Sequence, residues 1–422
     1  MKNRSPWWWI PSLYFGEGLP YVVVMTLSVI MYKRLGISNA DIAFYTSWLY
    51  FPWVIKPLWS PFVDLIRTKR WWIYGMQLFV GAGMAGIAFT IPVNFFFQAT
   101  LAFFWLMAFS SATHDIAADG FYMLGLEEDD QAFFIGIRNT FYRIAMLTGQ
   151  GLLVMLAGWL ETSTGRIPFA WTLVFFVLAG IFVGLSAWHR FILPYPKNDK
   201  QRAGITISSI LSGFEETFST FFKKKGILPA IFFLLTYRLG ESQLVKLSSP
   251  FLLDGKDIGG MGLSTGQVGF AYGTVGVIAL LLGGILGGLA IAKGGGLKRW
   301  IWLMAIATSL PNLVYLFLAY TQPTSFTTVN ICVAIEQFGY GFGFTAYTMY
   351  MMIFAEGEYQ TSHYALCTGF MALGMMLPGM VSGIIQEYLG YQHFFIWVML
   401  CCIPIFIVIP FLKYKHKIIL EK

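Results

Sequence analysis

"ATLAFFWLMAFSSATHDIAADGFYML", residues Ala99–Leu124, runs for twenty-six residues without a lysine, an arginine or a glutamate. At 1.5 Å per residue a helix of about 20 apolar residues crosses the hydrocarbon of a bilayer. Lipid offers no partner to backbone N–H and C=O groups, so such a run satisfies them within itself. Barrel strands are about ten residues long and alternate in polarity, which this run does not. The stretch therefore predicts a transmembrane helix, yet it holds two carboxylates, Asp115 and Asp119, with His114 beside the first.

The rest of the chain repeats the pattern. Of its 422 residues 57% are hydrophobic and 12% charged, against about 25% charged in soluble domains, and the mean hydropathy is +0.65. Counting Ala99–Leu124 as helix 4, twelve spans are expected. Helices 1–3 are Ile10–Met31, Ile42–Phe62 and Trp71–Ile91; helices 5 and 6 are Phe133–Leu160 and Phe169–Leu193. Helices 7–9 are Ile227–Leu253, Thr265–Ala292 and Trp300–Tyr320; helices 10–12 are Val329–Ala355, Tyr364–Tyr388 and Phe394–Leu412. The first span is too long for a signal peptide and lacks a small-residue cleavage site. The fold class is an all-α membrane protein.

Loop charge sets the expected orientation. With the N-terminus inside, the inner segments hold nineteen Lys and Arg residues and the outer segments four, Lys33, Arg34, Arg166 and Lys256. Both termini are therefore expected in the cytoplasm, in an inner membrane. The net charge of +7 belongs to the inner face and implies no nucleic-acid partner.

The halves echo each other. "KRWWI" (Lys69–Ile73) opens helix 3 and "KRWIW" (Lys298–Trp302) opens helix 9; "YFGE" (Tyr14–Glu17) lies in helix 1 and "YRLGE" (Tyr237–Glu241) in helix 7. These echoes, with six helices per half, argue for a parallel repeat, the plan of the major facilitator superfamily. The expected division is an N-terminal six-helix bundle over 1–193, a cytoplasmic loop over 194–225 and a C-terminal bundle over 226–422. Within the loop, Ile205–Phe222 reads as an amphipathic helix at the membrane surface.

Ionisable residues in a membrane core are costly and point to function. They are Glu17 (helix 1), Lys56 (helix 2), Asp115 and Asp119 (helix 4), Arg138 and Arg143 (helix 5), Arg238, Glu241 and Lys246 (helix 7) and Glu336 (helix 10). Asp115 and Asp119, four apart, share one helix face. The expected proton carriers are Asp115, Asp119, Glu17, Glu241 and Glu336. Arg138, Arg143 and Arg238 are expected to pair with these acids or to hold anionic substrate groups; fixed ion pairs are the bland alternative. His114 points about 100° away from Asp115 and reads as a hydrogen-bonded packing residue, with a substrate or ion-pair role as the alternative. The glycines of "QFGYGFGF" (Gln337–Phe344), after Glu336, read as close helix packing, and Gln337 as a substrate or ion-pair candidate. At the inner end of helix 2, Asp64, Arg67 and Arg70 suit a gate latch.

Tyr14, Tyr21, Tyr45 and Trp48 are candidates to stack on sugar rings. Cys332, Cys367, Cys401 and Cys402 read as packing residues. The Gly-rich runs lack the Lys-Ser/Thr ending of a phosphate loop, and no His or Cys cluster has metal spacing, so no cofactor, metal or catalytic residue is expected. With no ATPase domain, uphill transport would draw on an ion gradient.

"YFGEGLPY" in helix 1, "KPLWSPFVD" in helix 2, "ATHDIAADG" in helix 4, "YRLGES" in helix 7 and "EQFGYGFG" in helix 10 resemble the AmpG muropeptide permeases. The resemblance implies a major facilitator fold, and proton-coupled import of N-acetylglucosaminyl-anhydro-N-acetylmuramyl peptides from periplasm to cytoplasm in peptidoglycan recycling. It also implies a role for Asp115, Asp119 and Glu336. The chain departs from the pattern at Glu17, His114, Arg238 and Glu241. The related acetyl-coenzyme A transporters share parts of it.

The expectation is a monomeric secondary transporter, not an enzyme, whose partners are a small sugar-peptide, protons and the lipid bilayer. Helices 1, 4, 7 and 10 would line its cavity, and the two halves would rock about it. The alternatives are a major facilitator transporter for another solute (acyl-CoA, a sugar conjugate or an exported drug), or a membrane-embedded acyltransferase using His114 and Asp115.

Overall fold

A computed structural model describes residues 5–196, 198–199 and 207–413. Every one of the twelve spans falls on helix, and no strand occurs among the described residues. Helices 1, 3, 4 and 6 are Pro6–Arg34, Lys69–Thr90, Phe96–Gly125 and Ile167–Ile192; helices 5 and 8 are Phe133–Thr164 and Thr265–Lys293. Helix 9 is Leu297–Thr321, with a short 3-10 turn at Leu310–Asn312.

Among the described residues, eight helical stretches are long and apolar enough to cross a membrane by length and composition. One of them, Gln360–Phe411, holds two spans, helices 11 and 12, because Gly390 takes φ 72° and bends the backbone between them. A side chain there would meet the strain of the left-handed region. The three spans outside that set have visible reasons. Helix 2 is broken into Asn39–Trp48 and Phe51–Ile66, and helix 7 into Ile227–Thr236 and Leu239–Leu253. Helix 10, Phe326–Ala355, is continuous but diluted by glycines, hydroxyl residues, Glu336 and Gln337.

The chain packs into two compact units, and each takes a segment from the other sequence half. The first holds the described residues up to Ile37 with those of Leu58–Ile210 and Ser264–Gly273. The second holds Ser38–Pro57, Leu211–Leu263 and the described residues from Thr274 onward.

In the first unit, the opening turns of helix 8 lie on helix 5 with no side chains between. A Cβ on Gly273 would stand 2.1 Å from Gly151 Cα, and one on Gly158 would stand 2.3 Å from Gly266 N. Small residues let backbones approach this closely, the usual device of membrane helix pairs. The contact ends in a polar knot. Glu161 accepts from Arg34 Nη2 at 3.0 Å, from Trp171 Nε1 at 2.9 Å and from Thr265 Oγ1 at 2.7 Å.

In the second unit, the first piece of helix 2, Asn39–Trp48, lies on helix 11 in the same way. A Cβ on Gly383 would stand 2.1 Å from Asn39 O. Asn39 Nδ2 donates to Gln386 Oε1 at 2.7 Å and to Tyr391 Oη at 2.9 Å, and Tyr391 donates to Asp254 at 2.6 Å.

The loop helix forms over Ile207–Phe222; residues 205 and 206 of its expected span lie outside the described residues. It docks by its apolar face: Phe221 is fully buried in the core that holds Phe233, Tyr347 and Tyr350. Lys224, just past its end, donates to the last carbonyl groups of helix 10, Phe354 at 2.7 Å and Glu356 at 2.8 Å, where a cation complements the helix dipole. The four cysteines are free and buried.

Candidate functional site: an acid cluster and two buried polar networks

Helix 4 presents Asp115 and Asp119 on one face, and helix 1 brings Glu17 against them. Oxygens of all three carboxylates lie within 4.8 Å of one another. Glu17 is buried, while the aspartates are half-buried. Helix 5 supplies the cation: Arg138 Nη2 is 2.6 Å from Asp119 Oδ1. Its guanidinium also lies over the ring of Tyr14, at 4.5 Å from the centroid, and near Tyr122 at 5.7 Å. Such cation–π contacts contribute about 0.5–2 kcal/mol according to burial. Three carboxylates thus meet in one place, with Arg138 on one of them. At these separations like charges repel strongly, and a proton or another cation relieves the repulsion.

Two expectations need correction. Arg143 does not join the cluster; its Nη1 meets Met146 Sδ at 3.4 Å. Five residues separate it from Arg138, a rotation of about 140° around the helix, so the two cannot face helix 4 together. Tyr14 is not an open stacking surface, because it is fully buried beneath Arg138. Tyr21, one turn beyond Glu17, is half-buried, and Tyr45 and Trp48 are exposed on the first piece of helix 2.

His114 faces away from the acids, into a buried chain of side chains. Gln77 Nε2 lies 3.0 Å from His114 Nε2, Gln77 Oε1 lies 2.8 Å from His189 Nδ1, and His189 Nε2 lies 2.9 Å from Ser12 Oγ. The amide fixes the ring protons. Its oxygen only accepts, so His189 carries hydrogen on Nδ1; its nitrogen only donates, so His114 Nε2 is bare. His114 thus sits among these polar side chains, apart from the acids. Gln77 and His189 were missed. The polar Gln77 within the apolar run of helix 3 was the available signal.

In the second unit Arg238 and Glu241 form a two-point pair, at 2.6 Å and 2.7 Å. The guanidinium is walled by Tyr340 and Phe344, with centroids at 5.1 Å and 5.2 Å. Glu336 is buried and accepts from Gln337 Nε2 at 2.9 Å. The glycines after it serve close packing: a Cβ on Gly339 would stand 2.3 Å from Ala307 O, and one on Gly341 2.2 Å from Leu280 O.

At the C-terminal end of helix 2 the side chain of Asp64 lies outside the described residues. Arg67 is exposed, with its guanidinium 5.8 Å from the Trp71 ring centroid. Arg70 turns to the end of helix 6, where it donates to the carbonyls of Leu193, at 3.3 Å, and Arg190, and covers the Tyr195 ring at 3.9 Å. Asp199 caps helix 3 by accepting from the backbone N–H of Lys69 at 2.8 Å and Arg70 at 3.1 Å. Arg67 and Arg70 thus rest on aromatic rings and backbone carbonyls.

A family model described as Major Facilitator Superfamily matches residues 12–377. Among curated proteins, the chain is 27% identical to "Putative transporter AmpG 4" of Rickettsia conorii, over 95% of each chain. It is 25% identical to the "Anhydromuropeptide permease" of Escherichia coli, over 93% of this chain and 76% of that one. Among solved structures, the nucleoside transporter NupG superposes with a TM-score of 0.69 at 19% identity, over 96% of this chain and 98% of that one. A POT family transporter in complex with a thioalcohol-conjugated peptide superposes with a TM-score of 0.71 at 13% identity, over 95% of each chain. These two structures speak to the fold alone.

Proposed function

The chain belongs to the Major Facilitator Superfamily and is a multi-pass membrane transporter, and from that premise we propose that it imports peptidoglycan-derived anhydro-muropeptides together with protons. The observation that carries the reading is the meeting of Glu17, Asp115 and Asp119 within 4.8 Å of one another, with Arg138 on Asp119. Neighbouring carboxylates repel one another, so such a cluster gains and loses a proton as its surroundings change, and that is the chemistry a proton-driven importer needs. The names of the curated relatives support the sugar-peptide as cargo. In this reading Arg138 is the partner Asp119 releases on taking a proton, and Arg238, Glu241 and Glu336 form a second charged station. The excess of Lys and Arg in the segments read as inner supports cytoplasmic termini in an inner membrane.

Membrane vesicles loaded with the full-length protein test it. Labelled anhydro-muropeptide accumulates when the outside is made acidic, and the gradient collapses accumulation when dissipated. Uptake that ignores the gradient removes proton coupling; no uptake of the sugar-peptide under any gradient removes the cargo.

A further inference from the structure

Lys246, in helix 7, is 1% exposed. Its Nζ has one hydrogen-bond acceptor, Thr46 Oγ1 at 3.0 Å, and one aromatic face, the Tyr50 ring at 5.2 Å. Thr46 spends its own proton on the carbonyl of Ile42 at 2.6 Å, so its oxygen is free to accept from the lysine. Among the described residues no carboxylate lies within ion-pair distance of this ammonium. An ammonium has three donors, and two remain unused. Beside it Ser47, fully buried, has a hydroxyl with no hydrogen-bond partner. Both converge on one strip of helix 11: a Cβ on Gly379 would stand 2.7 Å from Ser47 Oγ and 3.5 Å from Lys246 Cγ.

A buried ammonium with unused donors and no counter-charge is costly, and an anionic group of a ligand would supply the missing partner. Arg138 and Arg238 meet carboxylates and Arg143 meets a sulfur, whereas Lys246 has a hydroxyl and a ring. The geometry points to a binding site for a carboxylate of the transported solute, held by Lys246 and Ser47 and walled by Tyr50. It rests on the sugar-peptide reading, since a stem peptide carries free carboxylates. The cover over the site is the first piece of helix 2, Asn39–Trp48, a helix in its own right that ends before Phe51–Ile66 begins. Moving that piece off helices 7 and 11 uncovers Nζ.

The test is binding to the purified full-length protein, read by thermal unfolding and by titration. The ligands are an anhydro-muramyl tripeptide with free carboxylates and the same compound with its carboxylates amidated. Wild type binds the free acid at least tenfold more tightly than the amide. Lys246→Gln binds both forms alike, near the amide's affinity, and Lys246→Arg keeps part of the preference. A Lys246→Gln protein that retains the preference overturns the site. Should that variant not fold, Ser47→Ala decides: a weakened preference for the free acid supports the site and an unchanged one overturns it. If wild type binds neither sugar-peptide, the cargo reading falls, and propionate and inorganic phosphate then decide the site. Stabilisation by propionate that Lys246→Gln lacks keeps the carboxylate site. Stabilisation by phosphate alone, or no difference between the two proteins, ends it.

Discussion

Asp119 and Arg138 meet at 2.6 Å on neighbouring helices, and the same guanidinium lies flat over Tyr14, a fully buried ring three residues before Glu17. One cation is thus shared between an acid of helix 4 and the aromatic platform of helix 1. The arrangement separates a cycling acid from a fixed strut by experiment. Asp119→Asn is expected to cut gradient-driven uptake at least tenfold with normal membrane insertion. The exchanged pair, Asp119→Arg with Arg138→Asp, restores the attraction but moves the acid away from Glu17 and Asp115. Thermal stability of the exchanged protein should approach wild type while uptake stays low. Recovered uptake in the exchanged protein would mean that the pair is only a strut.

Gln77 bridges two imidazoles, one through its oxygen and one through its nitrogen. Gln77→Ala leaves the Nδ1–H of His189 without an acceptor in a site where both residues are fully buried. An orphaned buried donor costs about 1–3 kcal/mol. The unfolding temperature in detergent should fall by several degrees. Gln77→Glu, which keeps the acceptor, should lose less. An unchanged unfolding temperature in Gln77→Ala would show that the chain of side chains does not hold helices 3, 4 and 6 together.

Glu161 accepts from three donors on three other helices. Glu161→Ala abandons all of them, and breaking a buried pair costs about 3–5 kcal/mol, with the lower end expected because Arg34 is 30% exposed. Helix 8 should loosen from helix 5 at that end. A cysteine placed at Thr265 should then react faster with a water-soluble thiol reagent than it does with Glu161 present. Equal rates would mean that the glycine crossing alone secures the contact.

The glycine crossings predict a graded series. Gly273→Ala and Gly383→Ala place a methyl group 2.1 Å from backbone atoms, closer than any rotamer change can relieve. Both should lower folded yield and unfolding temperature. Gly266→Ala and Gly288→Ala, which meet nothing within 4 Å, should be tolerated. The inverse order would contradict the packing described.

How much of this was legible in the sequence follows from the range of the forces involved. Hydropathy and the shared face of Asp115 and Asp119 are properties of a local stretch of chain, and a resemblance over both halves pointed to the same family. The sequence offered both Arg138 and Arg143 as partners for the acids of helix 4, and only the packed helices selected Arg138. Depth and rotation of one helix against another depend on side chains hundreds of residues apart. Helix 5 had to be set beside helix 1 before Arg138 could cover Tyr14. Glycines such as Gly383 had to find Asn39 before helix 2 could sheathe Lys246. The tertiary structure alone decided which charges found partners, because burial is a property of the packed whole, and it left Lys246 with a hydroxyl where an acid would have stood.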